Sequence, residues 1–486
     1  MESIKDGFRI VTIAGQVAFG VGLSALSGCG SDNDDPEAQI LSSSLGLIGD
    51  TLPGFQADAD LLEEAREAFS SFENINDGVG PVFNANSCAT CHSNGATGGA
   101  GEQIEQRMGR FVGGVFDGLA NRDGTLRQLF TVANFNNQNL PPASRGICQP
   151  GNPTLCCVPL ETIAPEATVT AGRRTQPLFG LGLVDAMPNG FFDALAASQP
   201  TDIRGTVRRV PVLIPNPGDP SQSIGSMRVA RFGWKGNVPS LLQFAADAYL
   251  NEMAITTQSC FRGQPLNAFA VESAPNGVPV PDGCDDLAER QTDPNPGGLT
   301  NTQWAQVDDA VGSCAGNRTE IQDDVFLFAV FMTSLAPPER DNSGQPVIAR
   351  GGPLFNQVGC NGCHVSAGFV TPANPAPLDI GNGEEVVRVP GNFAFSPYSD
   401  FLLHDMGSLG DRIGAQSGES EAQTRQMRTQ PLWGNRFQNK LLHDGRCSDI
   451  NCAIQAHDGQ AATARNAYNA LSADDRHALT QFVRSL

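Results

Sequence analysis

The sequence predicts a mainly α fold of two tandem domains made by internal duplication, with long loops and few short strands. Three observations carry that expectation. A Cys-x-x-Cys-His motif occurs twice, two further segments recur in the same order, and strand-like runs are scarce. The chain is 486 residues with Lys+Arg 31 against Asp+Glu 52, a formal charge of −21 that makes nucleic acid an unfavourable partner. Thirteen cysteines are an odd number to account for, and their chemistry depends on the compartment.

The N-terminus bears on the compartment. Lys5 and Arg9 precede an apolar run from about Ile10 to Leu26, followed by Leu26-Ser27-Gly28-Cys29. Residues 1–29 resemble a bacterial lipoprotein signal whose lipobox Cys29 becomes the lipidated residue, so the chain is expected in the periplasm, held to a membrane by a lipid anchor alone. An ordinary secretory signal and a short anchor helix are the alternatives. Residues 30–60 carry seven acids and no Lys or Arg, the pattern of a solvated tether.

The duplication then divides the rest. Gly80-Pro-Val-Phe-Asn-Ala-Asn-Ser-Cys88-Ala-Thr-Cys91-His92 aligns with Gly352-Pro-Leu-Phe-Asn-Gln-Val-Gly-Cys360-Asn-Gly-Cys363-His364, with seven identities in 13 positions. Arg174-Thr-Gln-Pro-Leu-Phe-Gly180 matches Arg428-Thr-Gln-Pro-Leu-Trp-Gly434, and Asp323 to Leu335 matches Asp474 to Leu486 with five identities in 13. The last pair reads as a helix, with Phe and Leu at three- and four-residue spacing and, in the second copy, a Ser472/Asp475 capping pattern. The first domain is therefore expected at 61–340, enlarged by an insertion, and the second at 345–486. The joint, Ala336-Pro-Pro-Glu-Arg-Asp-Asn-Ser-Gly344, is rich in turn formers. Val207–Ile214 is the one convincing strand-like run.

Cys88, Cys91 and His92, with Cys360, Cys363 and His364, have the spacing of covalent haem attachment. Two thiols on one helical turn add to the haem vinyl groups, and the next residue offers its imidazole to the iron. A redox dithiol or half a zinc site is the bland alternative. Two repeated copies behind an export signal favour two covalently bound c-type haems in cytochrome c-like domains. The cysteines then partition into one anchor, four haem thioethers and eight that can form disulfides, with Cys260–Cys284 and Cys447–Cys452 favoured by nearness. Of six histidines, the four not in these motifs all lie in the second copy, which leaves the first haem without a second imidazole unless one crosses over.

Arg428-Thr-Gln-Pro-Leu-Trp-Gly, Leu442-His443-Asp-Gly-Arg446 and Ala453-Ile-Gln-Ala-His457 resemble the C-terminal half of the bacterial di-haem cytochrome c peroxidase superfamily. Tyr398-Ser-Asp-Phe-Leu-Leu-His-Asp-Met-Gly407 and Arg231-Phe-Gly-Trp-Lys235 look more closely like its di-haem oxidoreductase branch. The resemblance implies an enzyme that reduces hydrogen peroxide at the N-terminal haem with electrons from the C-terminal haem. It implies Trp234 as the bridge between haems, Gln243 and Glu252 as groups of the peroxide pocket, and His457 as distal ligand of the C-terminal haem, where relatives usually have Met. It further implies an inter-domain calcium ion, for which no ligand set stands out. Glu252 would move a proton as the O–O bond breaks, and the acidic surface would steer a basic electron-donor cytochrome. A pure electron-transfer protein and an oxidase of a protein, thiol or organic substrate are the rival readings.

Overall fold

Helix α1 (Ala59–Ser70) runs up to the first haem motif, and the Asp58 side chain caps it by accepting from Asp60 N. The computed structural model describes residues 48–73, 79, 82–119, 124–131, 161–255 except 217, 324–379 except 342 and 344, and 386–486, with backbone alone at 257–261 and 264–267. The signal segment and Cys29 lie outside these residues, as do Cys148, Cys156, Cys157, Cys284 and Cys314; the side chain of Cys260 is likewise undescribed. No helix among the described residues is long and apolar enough to cross a membrane.

After α1 come β1 (Val82–Phe83), the single turn α2 (Cys88–Cys91), β2 (Ile104–Val112), β3 (Val115–Asp117), β4 (Leu126–Arg127), β5 (Phe130–Thr131) and β6 (Val169–Arg174). Helices α3 (Leu181–Asp185) and α4 (Asn189–Ser198), strands β7 (Arg209–Pro211) and β8 (Met227–Val229), and helix α5 (Leu241–Met253) follow. The hairpin β9 (Thr257–Phe261) and β10 (Gln264–Asn267) precedes α6 (Asp324–Ser334). The second copy has α7 (Pro346–Gln357), the two-residue strands β11 (Phe369–Val370), β12 (Leu378–Asp379), β13 (Val386–Val387) and β14 (Ala394–Phe395), then β15 (Leu403–Asp405). It closes with α8 (Glu421–Thr424), β16 (Gln426–Arg428), α9 (Ile450–Ala456), α10 (Ala462–Asn469) and α11 (Ala473–Arg484).

The repeat is visible as two helix pairs. α1 packs on α6 beside the first haem motif, and α7 packs on α11 beside the second. α11 starts as its sequence pattern predicts, with the Ser472 hydroxyl accepting from Asp475 N at 3.1 Å. The shared Pro-Leu-Phe/Trp-Gly ends also have a physical reason. Gly180 at φ 70° and Gly434 at φ 73° each turn the chain through the left-handed region that starts the next helical turn.

The expectation of a mainly α protein with two tandem cytochrome c-like domains is overturned: among the described residues only 34% are helical and 17% are strand. Several small sheets account for the difference. The largest is centred on β2, which pairs antiparallel with β3, β4 and β6, in register from Ile104↔Arg174 to Gly109↔Val169. The β2 sequence, Ile-Glu-Gln-Arg-Met-Gly-Arg-Phe-Val, lacks clean apolar alternation, and β6 lies some sixty residues away in sequence, so local periodicity does not reveal the pairing. The Val207–Ile214 run supplies only the three residues of β7.

Two main apolar cores result among the described residues, beside two small clusters around Met108 and Phe116. The larger gathers α1, α3, α5 and α6 residues such as Phe69, Leu183, Tyr249 and Phe331, and it also takes in Phe369, Phe401 and Trp433 from the second copy. The smaller joins Phe355 of α7 to Tyr468 and to Leu479 and Phe482 of α11.

A buried ion cluster ties the copies together. Asp411, whose side chain is wholly buried, accepts from Arg173 Nε at 2.7 Å and Lys235 Nζ at 3.2 Å. Burial would push its carboxyl up, but the Arg173 and Lys235 charges outweigh that and hold it at about 2. Removing one member of such a cluster strands the others without a counter-charge. Asp411→Asn is therefore expected to cost about 3–5 kcal/mol of stability, read as a lowered denaturation midpoint. A midpoint equal to wild type would mean that the cluster does not hold the copies together.

Candidate haem sites

Each Cys-x-x-Cys-His motif opens onto a cavity of cofactor size. The first is about 390 Å³ and is lined by Cys88, Cys91 and His92; the second is about 370 Å³ and is lined by Cys360, Cys363 and His364. Among the described residues these four cysteines form no disulfide. Burial pushes the Cys91 and Cys360 thiols up to about 12. Thiols so protonated do not suit a redox dithiol, which works through an accessible thiolate.

The imidazoles are arranged as metal ligands. His92 Nδ1 bonds Gly99 O at 3.1 Å, His364 Nδ1 bonds Tyr398 O at 2.9 Å, and His457 Nδ1 bonds Ala453 O at 2.7 Å. A ring nitrogen committed to a backbone carbonyl must carry the proton, which leaves Nε2 with a free lone pair for a metal. Burial depresses all three, His92 and His364 to about 4, so they stay neutral at ordinary pH.

His364 and His457 face one another with ring centroids 6.4 Å apart. Two imidazoles sharing one metal through bonds of about 2 Å place their ring centres roughly 6 Å apart, so the pair fits an iron between them. The local fold explains this placement. The Tyr398–Gly407 segment supplies the carbonyl that orients His364, while the Cys447–Cys452 disulfide and the Asp449 cap, accepting from Cys452 N at 2.8 Å, fix the start of α9. His457 follows the last residue of α9. The Cys447–Cys452 bridge is one of the two pairings that sequence nearness favours; the other, Cys260–Cys284, lies outside the described side chains.

The first cavity has no second imidazole: of the six histidines, only His92 lines it. Carboxylates face it instead. Glu252, near the end of α5, accepts from Asn84 Nδ2 at 2.7 Å and lies 3.9 Å from Arg107 Nη2. Glu105 and Arg107, two apart on β2 and so on one face of it, form a bidentate pair at 2.9 and 3.0 Å. Burial and the Glu105 charge raise the Glu252 carboxyl well above the ordinary range, against the pull of Arg107. Burial would raise Glu105 too, but the Arg107 charge and hydrogen bonds outweigh it and hold that carboxyl low.

Trp234 lines both cavities. Its indole Nε1 donates to Arg174 O at 2.8 Å, and its own carbonyl accepts from Arg428 N at 2.9 Å, so the two repeated arginines clamp it. In the same Arg-Phe-Gly-Trp-Lys segment, the fully buried Arg231 holds the chain by donating to the carbonyls of Val184, Asp185 and Met187 at the end of α3. Arg174 and Arg428 are themselves buried, yet among the described residues neither pairs with a carboxylate, and Arg174 Nη1 has no partner at all. Unmatched buried guanidinium groups beside two cofactor-sized cavities fit the propionate carboxylates of a haem. Their role was not legible in the sequence, although the repeat flagged both residues.

Other expected residues lie elsewhere. Gln243 is not brought to the cavity; its Oε1 accepts from Leu213 N at 2.9 Å. His443 packs against Trp234 with ring centroids 6.1 Å apart, and His477 is exposed on α11. His404 Nε2 donates to Asp400 Oδ2 at 2.9 Å, and its Nδ1 stands 3.7 Å from Cys363 Sγ. Cys363, Asp400 and His404 are the one group of three or more His, Cys, Asp or Glu with metal-binding geometry among the described residues. Its sulphur and nitrogen donors do not suit calcium, which takes six to eight oxygens.

Residues 295–486 match the family described as "Di-haem oxidoreductase, putative peroxidase". No curated protein matches the chain. The match supports the di-haem oxidoreductase resemblance read from the motifs, and with it an oxidoreductase that uses haem.

Proposed function

We propose that this chain, whose C-terminal part belongs to the di-haem oxidoreductase family, is an exported peroxidase that reduces hydrogen peroxide at the first cavity with electrons received at the second. The observation that carries the reading is the asymmetry of two cavities joined through Trp234. The second sets His457 opposite His364, whereas the first is lined by acid–base groups and a single imidazole. Bound through the two cysteine pairs, the haems would supply reversible one-electron chemistry, and His92 is the one histidine that lines the first cavity to hold its iron.

The chain's residues do the rest. His92 would hold the first iron, and His364 with His457 the second. Arg174 and Arg428 would neutralise propionates and keep Trp234 in its place between the sites. Reduction of one peroxide to two waters consumes two electrons and two protons. A one-electron donor supplies the electrons twice, and Glu252, protonated at rest, gives a proton to the peroxide oxygen that leaves and is reprotonated from solvent, which also supplies the second proton. The net acidity of the chain favours a basic donor cytochrome, and Cys29 would anchor the mature protein in the periplasm.

The test is the mature protein made with its haems attached. Its ferric spectrum is expected to show one low-spin and one high-spin haem, and peroxide consumption is expected to depend on a reduced donor. Two low-spin haems without peroxide turnover would favour the electron-carrier alternative.

A further inference from the structure

Glu252 is not the sole carboxyl group of the first cavity. Glu105 also lines it, and one atom, Arg107 Nη2, lies 3.0 Å from Glu105 Oε2 and 3.9 Å from Glu252 Oε1, which makes the two carboxyl groups neighbours. Three neighbours fix the pair. Arg107 grips Glu105 with both Nε and Nη2 and reaches to 3.9 Å of Glu252 Oε1. Asn84 Nδ2 holds Glu252 Oε2 at 2.7 Å, and Asn84 N donates to the Glu252 carbonyl at 2.7 Å. Asn84 Oδ1 is itself pinned by Leu129 N at 3.0 Å, so the amide cannot flip without losing a bond. Nothing in the motif comparison singles out Glu105 or Arg107, whereas Asn84 is one of the identities of the first repeat.

We propose that Glu105 and Glu252 form a proton-sharing pair that feeds the first cavity, with Arg107 and Asn84 as positioning residues. The inference rests on the peroxidase reading for its purpose, though not for its existence. Two carboxylates in contact cannot both ionise cheaply, so one keeps a proton. Arg107 decides which: its bidentate grip keeps Glu105 ionised and leaves the proton on Glu252, donated to Glu105. When Glu252 gives that proton to the leaving peroxide oxygen, its new charge stands beside Glu105, and the pair regains a proton from solvent. No electron moves in this step; one O–H bond breaks and one forms. The other charged groups around the pair are Asp247 on the same helix, Arg173 on β6 acting on Glu105, and Cys91, which carries no ionisable proton once it is a thioether.

The experiment follows the protonated-carboxyl infrared band of the haem-loaded protein against pH, alongside the pH profile of peroxide turnover. Wild type should show a band that titrates well above the ordinary carboxylate range and that Glu252→Gln abolishes. Glu105→Gln removes the neighbouring charge and frees Arg107 for Glu252, so the band and the alkaline limb of turnover should both move down by at least about one pH unit. Glu105→Asp, which keeps the charge, should restore part of the shift and covers the case in which Glu105→Gln does not fold. A band unmoved in Glu105→Gln, or moved equally in Glu105→Asp, overturns the pair. If peroxide is turned over yet neither variant moves band or profile, the pair falls and the peroxidase reading stands. If the band moves as expected but no donor supports peroxide consumption, the pair stands and the peroxidase reading falls.

Discussion

Glu252→Gln is expected to lower peroxide turnover by on the order of 10²- to 10⁴-fold, the usual contribution of one positioned acid–base group. Glutamine keeps the oxygen that accepts from Asn84, so the change removes the proton function and little else. The pH dependence has a definite sign. Burial and the Glu105 charge raise the Glu252 carboxyl, so its acid form is the resting form at neutral pH, and wild-type turnover should fall as pH rises through that raised value. Stability should fall over the same rise in pH. A carboxyl raised on folding contributes fully to the folded state below its unfolded value near 4.3, and that contribution is lost as pH rises through the folded value. The variant should thus be at least as stable as wild type at pH 7, which separates lost chemistry from lost fold. Equal turnover by the two proteins, measured as donor oxidation at saturating peroxide, would remove Glu252 from the mechanism.

The parts of the site legible in the sequence are those whose chemistry demands a fixed short spacing. Cys88, Cys91 and His92, and their copies, are such a case, because one helical turn must present two thiols and an imidazole. His457 was readable only by resemblance, yet its facing geometry with His364 fits that reading. Gln243 was read from the same segment as Trp234 and Glu252 and is placed elsewhere, since one helix face cannot carry every polar residue of a motif to one cavity. It lies in the first turn of α5, where its side chain caps the backbone at Leu213, while Glu252 reaches the cavity two and a half turns later. Glu105 and Arg107 were invisible for a different reason. β2, held by its pairing with the distant β6, meets Glu252 of α5 only through contacts that no local pattern encodes, and Asn84, although repeated as Asn356, carries no sign of its bond to Glu252. The same non-local pairing is why the chain is less helical than its repeated helices suggested.

His457→Met is expected to raise the reduction potential of the C-terminal haem by a substantial part of the roughly 0.8 V over which axial ligands set haem potentials. The rings of His364 and His457 stand 6.4 Å apart, and a backbone carbonyl at each Nδ1 leaves both Nε2 atoms free to bind a metal. Two imidazoles donate strongly to ferric iron and hold the potential low, whereas a thioether favours the ferrous state. α9 is anchored by the Cys447–Cys452 bridge and the Asp449 cap, so a methionine at 457 would sit at the same helix end with its sulphur within reach of the same cavity. The measurement is a spectroelectrochemical titration that resolves the two haems. The C-terminal potential should rise while the N-terminal one stays near its wild-type value. With the second site held at a higher potential, electrons leave it less readily for the first, so peroxide turnover by a strong donor should slow at the transfer step rather than at peroxide binding. A kcat that falls with little change in KM would carry that signature. An unchanged potential and spectrum would mean that His457 is not an iron ligand, and the asymmetry between the two cavities would then need another cause.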